Sequence, residues 1–257
     1  MEYLNYIVDE GVAIATINRP PANALSSKLV EEVNQLLDAV ESNPDVRVVL
    51  IHGEGKFFSA GADIKEFTEI STTEAFETLS TRGQEVFEKL ESFPKPILAA
   101  IHGAALGGGL ELAMSCHFRY VSETAKLGLP ELQLGLIPGF GGTQRLPRYI
   151  GVAKAAEMMF TSEPISGTDA VKWGLANRAV PEESLLEEAL KTAKKIAKKS
   201  PIALKTAIEL LQFTKSASFY DGISAEAEGF GKVFATQDAK EGIQAFIEKR
   251  EPVFKGQ

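Results

Sequence analysis

A carboxylate surrounded by glycines and small apolar residues is the first feature of this sequence that points to chemistry. In the segment GAALGGGLELAMSC (residues 103–116), Glu111 comes shortly after three consecutive glycines. An ionised group among apolar neighbours is costly to bury unless a partner or a reaction uses it. Glycines ahead of a helical run allow the backbone to approach another group closely. Glu111 is therefore either a functional carboxylate or a residue that points to solvent from a packed helix.

A second carboxylate, Glu131, lies further along the chain. It follows Pro130, stands between two leucines and precedes the glycine-rich segment GLIPGFGG. Its separation from Glu111 is too long for one helix face but suits adjacent elements of one site. Apolar surroundings raise the pKa of a carboxyl group towards neutrality, where proton transfer is efficient. The two glutamates together predict general acid and base chemistry.

Two segments of the chain share one order of features. VVLIHGEGKFFSAGADIKEF and ILAAIHGAALGGGLELAM each begin with an apolar strand, pass through Ile-His-Gly and small residues, and end in a helix. The first N–H groups of a helix are unpaired and carry partial positive charge. The N–H groups of Ala62 and Gly108 could therefore stabilise one oxyanion together. The alternative is that two βα units simply share ordinary turn chemistry.

Other candidates for chemistry are weaker. The three histidines have no metal-ligand spacing with other residues, so we predict structural roles for them and no metal site. Cys116 lies in an apolar helical segment, which favours a place in the core over a role as nucleophile. The segment GFGGTQR lacks the Lys-Ser/Thr sequence of a nucleotide-binding P-loop.

The elements around these residues alternate between strand and helix, which predicts an α/β fold. Runs that are β-branched and almost wholly apolar indicate buried parallel strands. The predicted elements are a hairpin that turns at residues 9–11, a helix capped by Ser26 or Ser27, buried strands at 46–51 and 95–101, a short strand at 117–122, and a helix from a capping box at 71–74 to Leu90.

The pattern changes near residue 182, after which every segment is helical. We predict an α/β core with the functional site over residues 1–181 and a helical region over residues 182–257. Four amphipathic helical segments, separated at Pro201, residues 221–222 and Asp238, have apolar faces that need a partner. This region is expected to form a homo-oligomer.

Composition excludes several classes of protein. The 257 residues are 44% hydrophobic and 24% charged, which is typical of a soluble globular protein. The net charge of -8 argues against a nucleic-acid-binding surface. No apolar run is long enough to cross a membrane, and the first residues show no targeting pattern. With a single cysteine as well, we expect a cytoplasmic protein that binds neither nucleic acid nor membrane.

The ordered set of motifs resembles the enoyl-CoA hydratase/isomerase, or crotonase, superfamily, and most closely its short-chain enoyl-CoA hydratases. The resemblance covers nearly the whole chain, from INRPPANAL through FFSAGADIKEF and LGLPELQLGLIPGFGGTQRLPRYIG to FATQDAKEGIQAFIEKREPVFKG. It implies a spiral of ββα units with a C-terminal helical region that forms a trimer or a dimer of trimers. It also implies reversible syn addition of water to trans-2-enoyl-CoA thioesters, giving 3-hydroxyacyl-CoA in fatty-acid β-oxidation or related acyl-CoA metabolism. No cofactor is implied, because CoA is part of the substrate.

The resemblance also assigns roles to individual residues. Glu111 and Glu131 match the two catalytic glutamates: the first helps to activate and orient a water, and the second supplies a proton to C2. Ala62 and Gly108 match the two N–H donors to the thioester oxygen, and Gly139 matches the glycine that helps to hold the water. The residues implied to contact CoA are Asn23, Ala24, Leu25, Ala60, Asp63, Ile64, Lys65 and Lys255, the last from this subunit or a neighbouring one.

Two positions depart from the family pattern. Leu110 replaces a frequent cysteine and Leu129 a frequent glutamine, which affects the expected pocket shape and chain length more than the reaction. The nearest alternative is a Δ3-Δ2 enoyl-CoA isomerase or another acyl-CoA enzyme of this superfamily, but isomerases commonly keep only the second glutamate. Alternatives of a different class are a non-catalytic or RNA-binding member of the family and a purely structural oligomer. The net charge and the presence of both glutamates weigh against that class.

Overall fold

A computed structural model describes residues 1–67, 72–215 and 236–257 of the chain. Within these ranges the fold is a mixture of strands and helices, as the sequence predicts. The strands are β1 (Leu4–Asp9), β2 (Val12–Ile17), β3 (Val48–Gly53), β4 (Ile97–Ile101), β5 (Ala104–Leu106), β6 (Phe118–Ser122), β7 (Lys126–Gly128), β8 (Ile165–Ser166) and β9 (Arg178–Val180).

The helices follow most of these strands along the chain. They are α1 (Ser27–Ser42), α2 (Ile64–Phe67), α3 (Thr73–Glu91), α4 (Gly108–Ser115), α5 (Gly142–Ile150), α6 (Val152–Thr161), α7 (Gly167–Trp173), α8 (Glu182–Ala197), α9 (Pro201–Leu211) and α10 (Gln237–Glu248), with short 3-10 turns at Glu131–Leu134 and Gln212–Lys215.

The main sheet has the strand order β1-β2-β3-β4-β6-β9. The predicted hairpin is confirmed, because β1 pairs with β2 in antiparallel register, while the other neighbouring strands pair in parallel. Every residue of β4 is buried, as expected for a parallel strand covered on both faces. A smaller sheet, β5-β7-β8, lies beyond the carboxyl ends of β4 and β6.

Short bridges join the loops that follow the parallel strands. Leu25, in the loop after β2, bridges Ala62 in the loop after β3. Ser59, in the loop after β3, bridges Ala105 in β5. The segments after β2, β3 and β4 therefore meet at one edge of the main sheet, the edge where α/β folds place their ligands.

Side-chain caps begin the two long helices near this edge. Ser26 Oγ accepts a hydrogen bond from the Leu29 N–H at 3.2 Å, which confirms Ser26 as the cap of α1. Thr72 Oγ1 caps α3 by accepting from the Ala75 N–H at 3.2 Å. Ser71, the first residue of the predicted capping box, lies outside the described residues.

The first helix of the C-terminal region covers the main sheet. Leu185, Ala189 and Ala193 of α8 are buried against a cluster that includes Leu50 and Leu98. This part of the apolar face of α8 is therefore covered within the chain, whereas Leu186 of the same helix is 43% exposed. The predicted helical segment after residues 221–222 lies outside the described residues, and the division at residue 181 stays a prediction. None of the helices that the structure describes has the length and apolar character of a membrane span.

Candidate active site

Two glycines bring the segments after β3 and β5 into contact. Gly61 has φ +115° and Gly107 has φ +50°, backbone angles that residues other than glycine rarely adopt. A Cβ placed on Gly107 would lie 3.8 Å from the Gly61 Cα and 3.0 Å from Oε1 of Glu131. The absence of side chains thus allows two backbone segments and one carboxylate to share a single junction.

Each of these glycines is followed by one of the predicted N–H donors. Gly108 is the first residue of α4, and Ala62 lies between the bridge to Leu25 and the start of α2. Within the part of the chain that the structure describes, neither N–H group donates to a protein acceptor. Both N–H groups at this junction are therefore available to a bound oxygen.

Glu111 is buried one turn into α4, with 1% of its surface exposed. Its Oε1 accepts hydrogen bonds from the N–H groups of Phe140 at 2.8 Å and Gly142 at 2.7 Å. Burial raises the pKa of Glu111 to about 7, with a smaller rise from the charge of Glu131, although the two backbone hydrogen bonds oppose the shift. The interpretation of Glu111 as a solvent-directed residue is therefore wrong.

Glu131 begins the 3-10 turn that follows Pro130. Its Oε2 is buried and has no hydrogen-bond partner among the described residues. Burial raises the pKa of Glu131 as well. A buried carboxylate oxygen without a partner is unusual in a folded protein, and it leaves Glu131 able to bind water or a proton at the junction.

The loop that holds Glu111 is itself fixed by α3. The carbonyl of Gly139 accepts hydrogen bonds from Ser80 Oγ at 2.5 Å and Gln84 Nε2 at 2.9 Å. Sequence reasoning identified Gly139 but missed Phe140 and Gly142, whose N–H groups contact the carboxylate. The glycine-rich run after Pro138 was the available signal, since such a run lets several N–H groups converge.

A crevice of about 850 Å³ opens from this junction between α1 and α3. Leu25, Ala62 and Phe140 line its inner end, and Leu79 and Val86 add apolar surface on α3. Its volume lies within the range of small-molecule sites. Leu25, predicted to lie along the substrate, therefore forms part of the wall.

Two predicted CoA-contacting residues brace the loops from inside. Asn23 is buried, and its side chain accepts from the Arg19 N–H and donates to the carbonyls of Glu54 and Phe57. Asp63 forms an ion pair with Arg19. Although burial alone would raise the pKa of Asp63, the Arg19 hydrogen bond holds it below its ordinary value. Arg19, which sequence reasoning missed, thus joins the two loops.

The remaining predicted contacts lie on the surface beside the junction, with one exception. Ala60, Ile64 and Lys65 are exposed and Ala24 is half-buried. Lys255 lies elsewhere, because its N–H donates to Asp238 and the adjacent Gly256 packs near Arg47, which precedes β3.

The six residues of β3 separate Lys255 from the site. They span about 20 Å from the Arg47 end of the strand to the loops of the junction. The structure does not bring Lys255 to the site within one chain. A contact with the CoA of a neighbouring subunit stays a prediction.

Cys116 and the histidines have structural surroundings. Cys116 is buried in the main hydrophobic cluster, which confirms its predicted place in the core, and this burial raises the pKa of its thiol to about 12. His52 contacts Thr16, His102 contacts a backbone carbonyl, and His117 accepts from the Ile97 N–H. In the described ranges no group of three or more His, Cys, Asp and Glu side chains could hold a metal ion.

In the described part of the chain, the junction combines two N–H groups that donate to no protein acceptor with two carboxyl groups of raised pKa, an arrangement suited to an acid–base enzyme that acts next to a carbonyl oxygen. Comparison with known proteins agrees with this class. The chain belongs to the enoyl-CoA hydratase/isomerase family, whose sequence model matches residues 8–257.

Relatives in this family align over the full chain. A probable enoyl-CoA hydratase of Bacillus subtilis (strain 168) is 55% identical over 258 residues and covers 100% of both chains. A short-chain-enoyl-CoA hydratase of Clostridium acetobutylicum is 41% identical over 97% of each chain. Among solved structures, an enoyl-CoA hydratase from Bacillus anthracis has a TM-score of 0.94 and 39% identity, and covers 99% of this chain and 100% of its own.

Proposed function

We propose that the protein is an enoyl-CoA hydratase that reversibly adds water to trans-2-enoyl-CoA and gives 3-hydroxyacyl-CoA. The observation that carries this proposal is the position of both glutamates, each with a raised pKa, beside the N–H groups of Ala62 and Gly108. Full-length relatives named as enoyl-CoA hydratases support the same reaction.

The N–H groups of Ala62 and Gly108 bind the thioester oxygen. Their hydrogen bonds draw electrons from the conjugated double bond, so that C3 becomes electrophilic and the enolate that forms is stabilised. Removal of one such donor typically costs about 3 kcal/mol of transition-state stabilisation. The apolar inner end of the crevice takes the acyl chain, and the exposed residues Ala60, Ile64 and Lys65 line the CoA side.

Glu111 and Glu131 hold one water between them and share one proton. The two backbone N–H groups occupy Oε1 of Glu111, which leaves its Oε2 for the water. As the water oxygen bonds to C3, Glu111 takes a proton from the water and Glu131 delivers its own proton to C2 on the same face. The pair therefore ends the addition with one proton, as it began. No cofactor takes part, because CoA belongs to the substrate.

Burial favours Glu111 as the site of this proton in the free protein, since its pKa lies near 7. The proposed roles require the proton on Glu131 when the substrate is bound. A water that bridges the two carboxyl groups provides a path for this transfer, and Oε2 of Glu131, which lacks a protein partner in the described residues, can receive it.

Two further proposals concern the assembly of the protein and its location in the cell. The helical region assembles the protein into a trimer or a dimer of trimers, because Leu211, Ile243 and Val253 leave large apolar side chains exposed. Light scattering should then give more than one subunit at micromolar concentration. We also place the protein in the cytoplasm, since its one cysteine can form no intrachain disulfide.

The reaction is tested with purified protein and crotonyl-CoA, followed by mass measurement. A product heavier by one water supports the hydratase. Conversion of 3-enoyl-CoA to 2-enoyl-CoA without hydration would instead support the isomerase. Salt-sensitive RNA binding with neither activity would support a non-catalytic member of the family.

A further inference from the structure

Arg145, one turn into α5, lies directly behind the loop that holds Glu111. Its side chain is buried, and Nη1 donates to the carbonyl of Phe140 at 2.8 Å. A Cβ placed on Gly141 would lie 2.5 Å from this Nη1. Because Gly141 has no side chain, the loop closes tightly around the guanidinium group.

Helix α3 holds Arg145 from the other side. Glu91 Oε2 accepts from Arg145 Nε at 2.8 Å, with only 9% of the arginine side chain and 12% of the glutamate side chain exposed. Although burial alone would raise the pKa of Glu91, the hydrogen bond and charge of Arg145 hold it below its ordinary value. The pair is therefore ionised, and its geometry is fixed by a buried charge-assisted hydrogen bond.

The same face of α3 also holds the start of the loop. Ser80 and Gln84 bind the Gly139 carbonyl, and Glu88 and Glu91 lie one to three turns further along the helix, with Glu88 Oε2 3.6 Å from Arg145. Residues spaced in this way share one face of a helix. Helix α3 thus contacts the loop directly through Gly139 and indirectly through Arg145.

We propose that Arg145 is a positioning residue, which Glu91 anchors to α3 and which keeps the N–H groups of Phe140 and Gly142 directed at Oε1 of Glu111. The proposal rests on the proposed hydratase function, in which Glu111 takes a proton from water. Arg145 itself contacts neither the carboxylate nor the crevice. It acts through the peptide units of the loop, whose carbonyl at Phe140 it binds.

Loss of Arg145 should raise the pKa of Glu111 for two reasons. The N–H donors lose a fixed position, so they stabilise the carboxylate less. The positive charge of the guanidinium, which lowers the pKa of Glu111, is also removed. The proton of the glutamate pair is then held more tightly on Glu111, and the whole pH profile of hydration moves to higher pH.

The test compares Arg145→Gln and Arg145→Lys with a matched control, Arg148→Gln. Arg148 also contacts Glu91, at 3.2 Å, but it is 42% exposed and does not reach the loop. We expect Arg145→Gln to lower kcat for crotonyl-CoA by up to about 10²-fold, with little change in KM, and to move the pH profile upwards. Arg148→Gln should leave kcat and the profile unchanged.

The lysine variant separates position from charge. A lysine keeps the cation but lacks the planar fork that binds Glu91 and the Phe140 carbonyl together. We expect its kcat to lie between those of the wild type and Arg145→Gln. If it keeps the full wild-type kcat and pH profile, the positioning role is wrong. The same variant serves if Arg145→Gln does not fold by circular dichroism.

A second measurement keeps this inference separate from the proposed reaction. In protein labelled with ¹³C at the glutamate side-chain carboxyls, the signal of Glu111 is identified by its loss in Glu111→Gln. Its titration should move to higher pH in Arg145→Gln whether or not crotonyl-CoA is hydrated. An unchanged titration overturns the positioning role. A wild type that does not hydrate crotonyl-CoA overturns only the proposed function.

Discussion

The carboxylate of Glu111 accepts a 2.7 Å hydrogen bond from the N–H of Gly142, 31 residues later in the chain. This contact joins the first turn of α4 to the first residue of α5. It requires both helices to start at the same junction, and it holds one carboxylate oxygen while leaving the other for chemistry. The hydrogen-bonded surroundings of Glu111, the proposed catalytic residue, are thus made by a loop distant in sequence and not by its own helix.

The pH dependence of hydration follows from the shared proton. Burial places the pKa of Glu111 at about 7 and also raises the pKa of Glu131, so the pair loses the proton that it needs for C2 as the pH rises above this region. At low pH both are protonated and neither can accept a proton from water. We expect a bell-shaped kcat/KM profile with its alkaline limb near pH 7, measured with crotonyl-CoA across buffers of constant ionic strength.

The control for this profile is Glu111→Gln, in which only Glu131 can titrate. Its residual activity should lose the limb near pH 7. A wild-type profile that stays flat from pH 5 to 9 would contradict the shared proton.

Stability should depend on the same carboxyl group. A pKa raised from 4.5 to about 7 means that the folded protein favours protonated Glu111, so its favourable contribution is present below about pH 4.5 and is lost as the pH rises through 7. Glutamine stays neutral and its amide oxygen can accept both backbone N–H groups. We expect Glu111→Gln to be more stable than the wild type at pH 8 by up to about 3 kcal/mol, with a smaller difference at pH 4.5.

Urea unfolding at the two pH values measures this difference. The matched control is Glu85→Gln on the exposed side of α3, which should show no such pH dependence. An equal stability difference at both pH values would show that Glu111 is not a buried carboxylate of raised pKa.

The sequence predicts the strands, helices and candidate residues of this site better than it predicts the contacts between them. Apolar β-branched runs predict β3 and β4, and Ser26 is found at the start of α1, because strand burial and helix capping depend on local residues. The hydrogen bonds from Phe140 and Gly142 to Glu111 could not be predicted, because packing between distant segments creates them. Packing between distant segments also explains why α8 covers the main sheet and why Lys255 lies far from the site, so neither could be predicted from local sequence.

Proline at position 108 would remove one of the two proposed N–H donors to the thioester oxygen. Gly108 is the first residue of α4, a position where proline is well tolerated because its missing N–H has no helical partner. We expect Gly108→Pro to lower kcat about 10²–10³-fold while circular dichroism stays close to that of the wild type. The control is Gly108→Ala, which keeps the N–H and whose Cβ would meet the Phe140 ring at 3.3 Å. A folded proline variant with normal turnover would contradict the oxyanion role.

Replacement of each glutamate by glutamine separates the hydratase from the isomerase. Glutamine keeps the size and hydrogen bonding of glutamate but cannot exchange a proton usefully. If both groups manage one water, Glu111→Gln and Glu131→Gln should each lower kcat for crotonyl-CoA hydration by about 10²–10⁴-fold, with little change in substrate binding. Because the pair acts as a unit, the double variant should be far less impaired than the product of the two single losses.

An isomerase predicts a different pattern for the same variants. Isomerisation moves one proton between C2 and C4 and adds no water, so one carboxyl group is sufficient. Glu111→Gln would then keep most of the conversion of 3-enoyl-CoA to 2-enoyl-CoA, and hydration would be weak even in the wild type. The buried Oε2 of Glu131 has no hydrogen-bond partner among the described residues, and Glu111 is buried as well; both observations favour the shared water, so we expect hydration to be lost in both single variants.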